Sequence, residues 1–370
     1  MRVNDELGFF LWDYLKECGK KIVLFGTGDG ADKILKVMEC YELKPVCFTA
    51  TGDFGMKPDF RGYPVLTFEE VEKRHRDFII LICFGSENPE VLERLYSLCE
   101  NYEVFAPDLP VISDIDDFSP ESFSTKGYIY TPDYVEENEE KLSKTRKMLA
   151  DEKSKEVFDS WLAYRLSGKT DILEQIASPR DEIISLLKLK DNEHFIDAGA
   201  YKGDTVDEFL AATNKKFKKI TAIEPDIKNY TALRRKFYAY GSGLFAHVNA
   251  VAWNEDSTID FTIKSGRAGG VGIKGERVTK VNTVKIDTLC QDEKPTYIKL
   301  DVEGAEAKVI EGAKAVITKH RPKMIVSLYH RTEDMFELPL LINSLNPKYK
   351  LYLRKTRCLP GWEFQLIVTN

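Results

Sequence analysis

Long apolar runs are missing from this chain. The most apolar stretch, residues 78–84, is far short of the ~18 residues that a membrane-spanning helix needs. Excess positive charge is missing too: 53 Lys and Arg against 60 Asp and Glu leave a net charge of −7. That balance argues against unaided binding to nucleic acid or to an anionic membrane. Cysteine is sparse and odd in number, seven residues at 18, 40, 47, 83, 99, 290 and 358, with no Cys-x-x-Cys pair. A disulfide framework or a zinc site is disfavoured, and reduced thiols in the cytoplasm are expected. The opening MRVNDELGFFLWDYLKE carries an early acidic pair and reads as an amphipathic helix rather than a signal peptide. What remains is ordinary globular composition, 43% hydrophobic and 31% charged over 370 residues, enough for two domains with separate cores.

The stretch with the most chemistry is His-Phe-Ile-Asp-Ala-Gly-Ala-Tyr-Lys-Gly-Asp-Thr at 194 to 205. It reads as a buried strand, a glycine turn and a helix start. Gly199 and Gly203 suit a sharp turn and close approach to a ligand, with Tyr201 between them, and Asp204 and Thr205 stand at the helix start. The helix start, with its exposed N–H groups, suits a carboxylate or phosphate. A dinucleotide fingerprint is Gly-x-Gly-x-x-Gly without an acid at the strand end. Here Asp197 stands at that end, hostile to a pyrophosphate and favourable to a cation. A second apolar strand ends about 20 residues further on in Glu224, a suitable acceptor for two ribose hydroxyls. Two acids and two glycines so ordered point to S-adenosyl-L-methionine rather than NAD. Residues 244–253 read as a third strand, and its end, 249–253 with Asn249 and Ala250, is expected to flank the adenine.

Residues 20–31, KKIVLFGTGDGA, place Gly26, Gly28 and Ala31 at Gly-x-Gly-x-x-Ala spacing, closer to a dinucleotide fingerprint. The acid that should meet a ribose is absent from the next strand; Thr49 stands near the place and Asp53 comes later. Strands at 46–50 and 78–84 alternate with helices at 68–76 and 89–99, so residues 1–112 are expected to form a small Rossmann-like domain with a parallel sheet. This half resembles the Rossmann-like domain that precedes acyltransferase repeats in sugar-modifying enzymes, the Gly-Tyr-Pro-Val-Leu segment at 62 to 66 included. Its glycine turn either binds a ligand or only packs strand against helix.

Four prolines among many Asp and Ser between 107 and 132 mark a boundary. Residues 113–190 read as a linker and helical segment. A charged helix over 134–166 has Glu137 to Lys141 and Glu140 to Lys144 at i,i+4 spacing and Phe158, Trp161, Leu162 and Arg165 on one face; a second runs over 179–189. Packing within its own domain is favoured over a dimer seam, and a homodimer stays open. Strands at 258–263 and 281–286 alternate as a hairpin around a loop holding Gly266, Gly269, Gly270, Gly272 and Gly275 with Arg267, Lys274 and Arg277. That loop is either a mobile substrate cover or disordered. A fourth strand runs into Asp301, Glu303 and Glu306, three acids that need partners, and a fifth delivers Tyr329 and His330 to the same edge. Strands at 350–354 and 363–369 should pair antiparallel.

The second half, from about residue 148 to 370, resembles the FkbM family of S-adenosylmethionine-dependent methyltransferases. The matched segments, in order, are DEKSKEVF at 151, FIDAGAYKGDT at 195, AIEPD at 222, IKLDVEGAE at 298, SLYHR at 327 and LYLRK at 351. The resemblance implies that residues 191–370 adopt a class I methyltransferase fold with a seven-stranded mixed sheet, making the whole an α/β protein of two Rossmann-like domains. It also implies an O-methyltransferase acting on a hydroxyl of a saccharide or small natural product, with S-adenosyl-L-methionine held by Asp197, Gly199, Tyr201, Gly203, Thr205, Glu224, Asn249, Ala250 and Asp301. His330 is the expected general base or else a structural histidine. Lys299 and Asp301 orient the acceptor or tune that base, Asp301 having cofactor contact as its alternative. Glu303, Tyr329 and Arg331 are expected on the substrate side. Asp301, Glu303 and His330 are also hard-metal ligand types, a reading disfavoured because a sulfonium donor needs no Lewis acid. The competing function is a nucleotide-sugar or NAD oxidoreductase working at the Gly26–Gly28 turn.

Overall fold

The computed structural model describes residues 9–50, 58–112, 115–125, 128–263, 270–271 and 277–370. Asp53 and most of the glycine-rich loop, residues 264–269 and 272–276, lie outside the described residues. The chain forms two compact units. One gathers residues 1–140, 155–177 and 355–363; the other 141–154, 178–354 and 364–370. The boundaries at 112 and 190 read from the sequence therefore differ from those of the units, which divide the helical segment between them. Sequence-local punctuation marks where the chain turns, whereas long-range packing decides which core a helix joins.

The first unit carries a six-stranded sheet in the order β3-β4-β2-β1-β5-β6. These strands are β1 Lys21–Phe25, β2 Cys47–Thr49, β3 Asp59–Phe60, β4 Tyr63–Leu66, β5 Phe78–Ile82 and β6 Glu103–Phe105. All neighbours are parallel except β3 and β4. Every residue of β5 is buried, as a strand covered on both faces requires, and that is why it reads as an unbroken apolar run. Thr67 and Glu70 form a reciprocal capping box that starts the helix Phe68–Arg74. The face read from 158, 161, 162 and 165 is buried, and Arg165 pairs with Asp108 at 2.7 Å within this unit.

In the second unit seven strands lie in the order β16-β17-β15-β14-β7-β8-β9. They are β7 His194–Ala198, β8 Lys219–Ile223, β9 Phe245–Val248, β14 Tyr297–Leu300, β15 Lys323–Ser327, β16 Lys350–Lys355 and β17 Phe364–Thr369. The neighbours β9, β8, β7, β14 and β15 run parallel and β17 runs antiparallel to β15. The mixed seven-stranded sheet expected from the resemblance is present. A smaller sheet, β10 Val251–Ala252, β11 Thr258–Ile263, β12 Gly270–Val271 and β13 Arg277–Val284, is inserted between β9 and β14. β11 and β13 pair antiparallel as a hairpin does. The expected third strand is split into β9 and β10. The chain order reverses between β7 and β14, and in such sheets ligands sit outside the carboxyl ends of the strands.

The charged helical stretch is three helices, Pro132–Glu137, Glu139–Met148 and Glu152–Ser167; Lys141 pairs with Glu337, and Glu137, its expected partner, lies on the preceding helix. The cysteines are free, four of them buried. No helix among the described residues is long and apolar enough to cross a membrane.

The glycine turn after β1 and the helix start behind it are built for packing at Gly26, whose φ is +115° and where an added Cβ would lie 2.9 Å from Phe84, and at Gly30. A Cβ on Gly30 would lie 2.1 Å from the Cys83 carbonyl oxygen, whereas one on Gly28 would meet nothing within 4 Å. Gly30→Ala should therefore destabilise the protein by about 2–3 kcal/mol through overpacking, and Gly28→Ala, at a helix N-cap, by less than about 1 kcal/mol. Chemical denaturation of both variants checks this; equal losses would contradict it.

Candidate active site

Strand ends meet where the sheet order reverses. β7 ends at Ala198 and turns through Gly199, β8 ends beside Glu224, and β14 ends beside Asp301. The cleft over these ends is lined by Gly199, Tyr201, Asp204, Glu224, Lys299, Asp301 and Glu303, with Ile223, Pro225, Val251, Ala252, Phe261 and Val302 as its apolar wall.

Glu224 is placed by backbone. Its two carboxylate oxygens accept the N–H groups of Tyr201 at 2.8 Å and Asp226 at 2.9 Å. Asp226 in turn caps the helix Ile227–Lys236 by accepting from Lys228 and Asn229. Asn249 donates to the carbonyls of Glu224 and Pro225 at 2.9 and 3.0 Å, so it ties down the loop that carries Glu224. It is not among the residues lining the cleft, and nor is Ala250; Val251 and Ala252 occupy the wall instead. Burial raises the Glu224 carboxyl to about 7, against the pull of those two backbone donors.

The two glycines of the turn are required by packing alone. Both have positive φ, +81° and +84°. A Cβ on Gly199 would lie 1.9 Å from the Asp301 carbonyl oxygen, and one on Gly203 would strike Phe237 at 2.3 Å and Leu233 at 2.8 Å. Gly199 lets two strand ends cross closely, and Gly203 lets a helix pack. Tyr201 and Glu303, without a glycine's freedom, are also left-handed, at φ 47° and 53°. Each costs about 1–2 kcal/mol, and both lie on the cleft, where such strain is concentrated in proteins.

Asp197 is not at the cleft surface. Its side chain is fully buried, 3.7 Å from Lys299 Nζ and accepting the Thr205 hydroxyl proton. Burial raises its pKa, with Lys299 acting in the opposite sense. The acid expected to face the ligand is instead an internal anchor, holding Thr205 at the helix start and Lys299 on the neighbouring strand. Lys299 also lies 3.4 Å from Asp301 and donates to the Gly199 carbonyl at 3.1 Å.

Beyond Asp301 the charges alternate. His330 is buried, its Nε2 3.5 Å from Asp301 and 3.7 Å from Glu303, its Nδ1 2.9 Å from Glu306. Burial disfavours the imidazolium, yet Glu306, Asp301 and Glu303 outweigh it and raise His330 to about 10. Burial likewise opposes charge on Asp301, but Lys299 and His330 hold its carboxyl down at about 2. For Glu303 burial prevails and its pKa is raised. At neutral pH His330 is thus a proton carrier, where a general base must be unprotonated; its three acidic neighbours, far from it in sequence, cause the difference from expectation. Tyr329 donates to Asp301 at 3.2 Å, and Arg331 donates to the Gly304 carbonyl at 2.7 Å from an exposed position. Glu306 and Asp204 are the members that the sequence reading left without a role. The spacing of three acids within six residues was the available signal for Glu306.

A family model described as the methyltransferase FkbM domain matches residues 197–351. No curated protein matches the chain. Among solved structures, methyltransferase FkbM from Methylobacillus flagellatus KT is similar at 20% identity and a TM-score of 0.71, covering 100% of this chain and 96% of that one. An rRNA methylase from Streptococcus thermophilus aligns at 11% identity and TM-score 0.33 over 51% of this chain and 92% of its own. A precorrin-6y C5,15-methyltransferase from Geobacter metallireducens aligns at 13% identity and 0.32, over 53% and 92%.

Lys299 shared between two acids has a measurable consequence. Lys299→Met leaves Asp197 buried without its cation and should cost about 3–5 kcal/mol of stability. Adding Asp197→Asn should restore a substantial part of that loss in a double-mutant cycle; strict additivity of the two changes would show that the pair does not interact. The buried acid on β7, the Asp-x-Glu-Gly-x-Glu turn after β14 and the match over 197–351 lie together in the second unit, which carries a methyltransferase FkbM domain.

Proposed function

We propose that this protein is an S-adenosyl-L-methionine-dependent O-methyltransferase whose acceptor is a hydroxyl of a saccharide or another small natural product. The observation that carries the reading is Glu224: a buried carboxylate fixed by two backbone N–H groups at the end of β8, with acceptor capacity left for a vicinal diol such as a ribose. The rest of the cleft fits the same cofactor. Ile223, Val251, Ala252 and Phe261 supply an apolar wall for a base. The nine-residue helix Asp204–Ala212 directs its free N–H groups toward that side, suiting a carboxylate. Asp301 and Glu303 give the opposite end a negative surface for cationic groups. When bound, the cofactor supplies an electrophilic methyl group on a sulfonium.

The chain's own residues then have to hold an oxygen in line and take its proton. Glu303 is the acceptor we assign to that proton, since its pKa is raised and it lines the cleft. Asp301, held ionised, orients the hydroxyl. His330 keeps Asp301 and Glu303 in place and offsets their charge, a positioning part in place of the general base expected from the sequence. Lys299 does the same from the other side. Tyr329 fixes the Asp301 carboxylate, and Arg331 braces the turn at Gly304.

Calorimetry with S-adenosylhomocysteine tests the cofactor assignment. Binding should be lost or weakened at least about tenfold in Glu224→Ala; no heat with the unmodified protein removes the reading. The affinity should also depend on pH. The ligand's hydroxyls donate to ionised Glu224, whose pKa is about 7. Affinity should therefore be full above that value and fall as pH drops through it, by up to about tenfold per unit; a flat profile between pH 5.5 and 8.5 would contradict this. On an accepted glycan, Glu303→Gln should lower kcat by about 10²-fold with S-adenosylhomocysteine affinity within twofold of the parent. Undiminished turnover would eliminate Glu303 as the proton acceptor.

A further inference from the structure

Asp301, Glu306 and His330 each offer one ligand atom within 4.8 Å of the others. This group is more than a set of surface acids. The Glu306 and His330 side chains are buried, at 0% and 1% exposed, while Asp301 is 27% exposed and lines the cleft. Glu306 uses one oxygen twice, accepting from the Val302 N–H at 2.9 Å and facing His330 Nδ1 at 2.9 Å. Its other oxygen, Oε2, is buried and has no hydrogen-bond partner. A carboxyl oxygen left dry and unpartnered is costly, and it marks a place where a ligand belongs. Glu303 stands at 3.7 Å from the same imidazole, on the cleft side. Asp334, a further buried acid, has its pKa raised by burial and by the charge of Glu306.

We propose that Asp301, Glu306 and His330 form a divalent-cation site at the acceptor end of the cleft, with Glu303 on its open side. Carboxylate and imidazole donors together suit Mn²⁺ or Fe²⁺ rather than a thiolate-loving ion, and the cation would take the place of the proton that His330 otherwise carries. Ligand atoms around such an ion stand about 3–4.4 Å apart when each bond is about 2.1–2.2 Å, so the separations here need only small side-chain shifts. Opening through Asp301 leaves positions on the ion for water or for an acceptor oxygen. A hydroxyl drawn onto the cation would be more acidic and placed beside Glu303. The use of the ion rests on the methyltransferase reading; its binding does not.

Mn²⁺ is the probe, read by electron paramagnetic resonance on the full chain. The expected result is loss of the free Mn²⁺ signal at one equivalent, with electron spin-echo modulation from a coordinated imidazole nitrogen. Glu306→Gln should weaken binding about 10–100-fold, and His330→Gln should abolish the nitrogen modulation. Glu303→Gln, a change on the open side, should weaken it less and serves where the buried variants fold poorly. A free signal persisting at millimolar protein, or binding without nitrogen modulation, overturns the site. Calorimetry with S-adenosylhomocysteine on the same samples, without metal, separates the two ideas. Cofactor binding with no Mn²⁺ binding defeats the cation site alone, and Mn²⁺ binding with no cofactor heat defeats the methyltransferase reading alone.

Discussion

One buried ammonium group joins the two strands on which the cleft stands. Lys299 Nζ lies between Asp197 on β7 and Asp301 at the end of β14, and Lys299 and Asp197 are direct register partners. In a parallel pair, partners point to the same face, so the lysine meets its acid only in this register. A slip of one residue would turn Lys299 to the other face of the sheet and bring Ile298 to Asp197, burying a charge without its counter-ion. The penalty for that, several kcal/mol, makes the alignment of β7 and β14 far more definite than their apolar residues alone could. The cleft inherits this definition, because Gly199 and Asp301 are the next residues along those same strands.

From this pair the charges alternate outward: Asp197, Lys299, Asp301, His330, Glu306. The cations lie inside the row and the carboxylates that reach the cleft, Asp301 and Glu303, lie toward the ligand. Glu224 and Asp204 add to them from the other side. The face presented to a ligand is therefore acidic, and it is acidic because positive partners behind it allow the carboxylates to stay charged while partly buried. A cationic ligand is favoured by this face as a whole. The acid at the end of β7 contributes by ordering the row from beneath, since its own carboxylate is out of reach.

Much of the architecture was legible in the chain. Uninterrupted apolar runs such as 78–82 and 195–196 announced strands covered on both sides, and glycine after a strand announced the turns. The Asp-x-Glu-Gly-x-Glu segment drew notice because three acids so close must find partners. Other features depend on residues that meet only after folding. Gly199 and Gly203 were visible as glycines, but their neighbours, the Asp301 carbonyl and the Phe237 and Leu233 side chains, are contributed by segments about 30 to 100 residues away. Asn249 was visible as a polar residue after a strand, and only the fold shows it donating to the Glu224 and Pro225 carbonyls. The separation of the helical segment at 113 to 190 between two units could not be read locally, because amphipathic helices announce that they will be buried without saying against which core.

The acids after β14 show how far residue type falls short of chemical role. Asp301, Glu303 and Glu306 lie within six residues, and from sequence they are interchangeable carboxylates. Folding gives each a separate environment. Lys299 and His330 flank Asp301 and keep it ionised. Glu303 is lifted by a left-handed backbone onto the cleft, where burial raises its pKa against the pull of one imidazole at 3.7 Å. Glu306 is turned inward, fully buried, with His330 on one oxygen and nothing on the other. Environments that push neighbouring titratable groups apart are what allow one short segment to hold a fixed anion and a proton acceptor at once. Histidine's usual reputation as the base rests on a pKa near neutrality, and that condition fails wherever several carboxylates surround it. The same crowding that removes His330 from that role makes the adjoining carboxylates, each with its charge set by a different partner, the chemically adjustable members of the site.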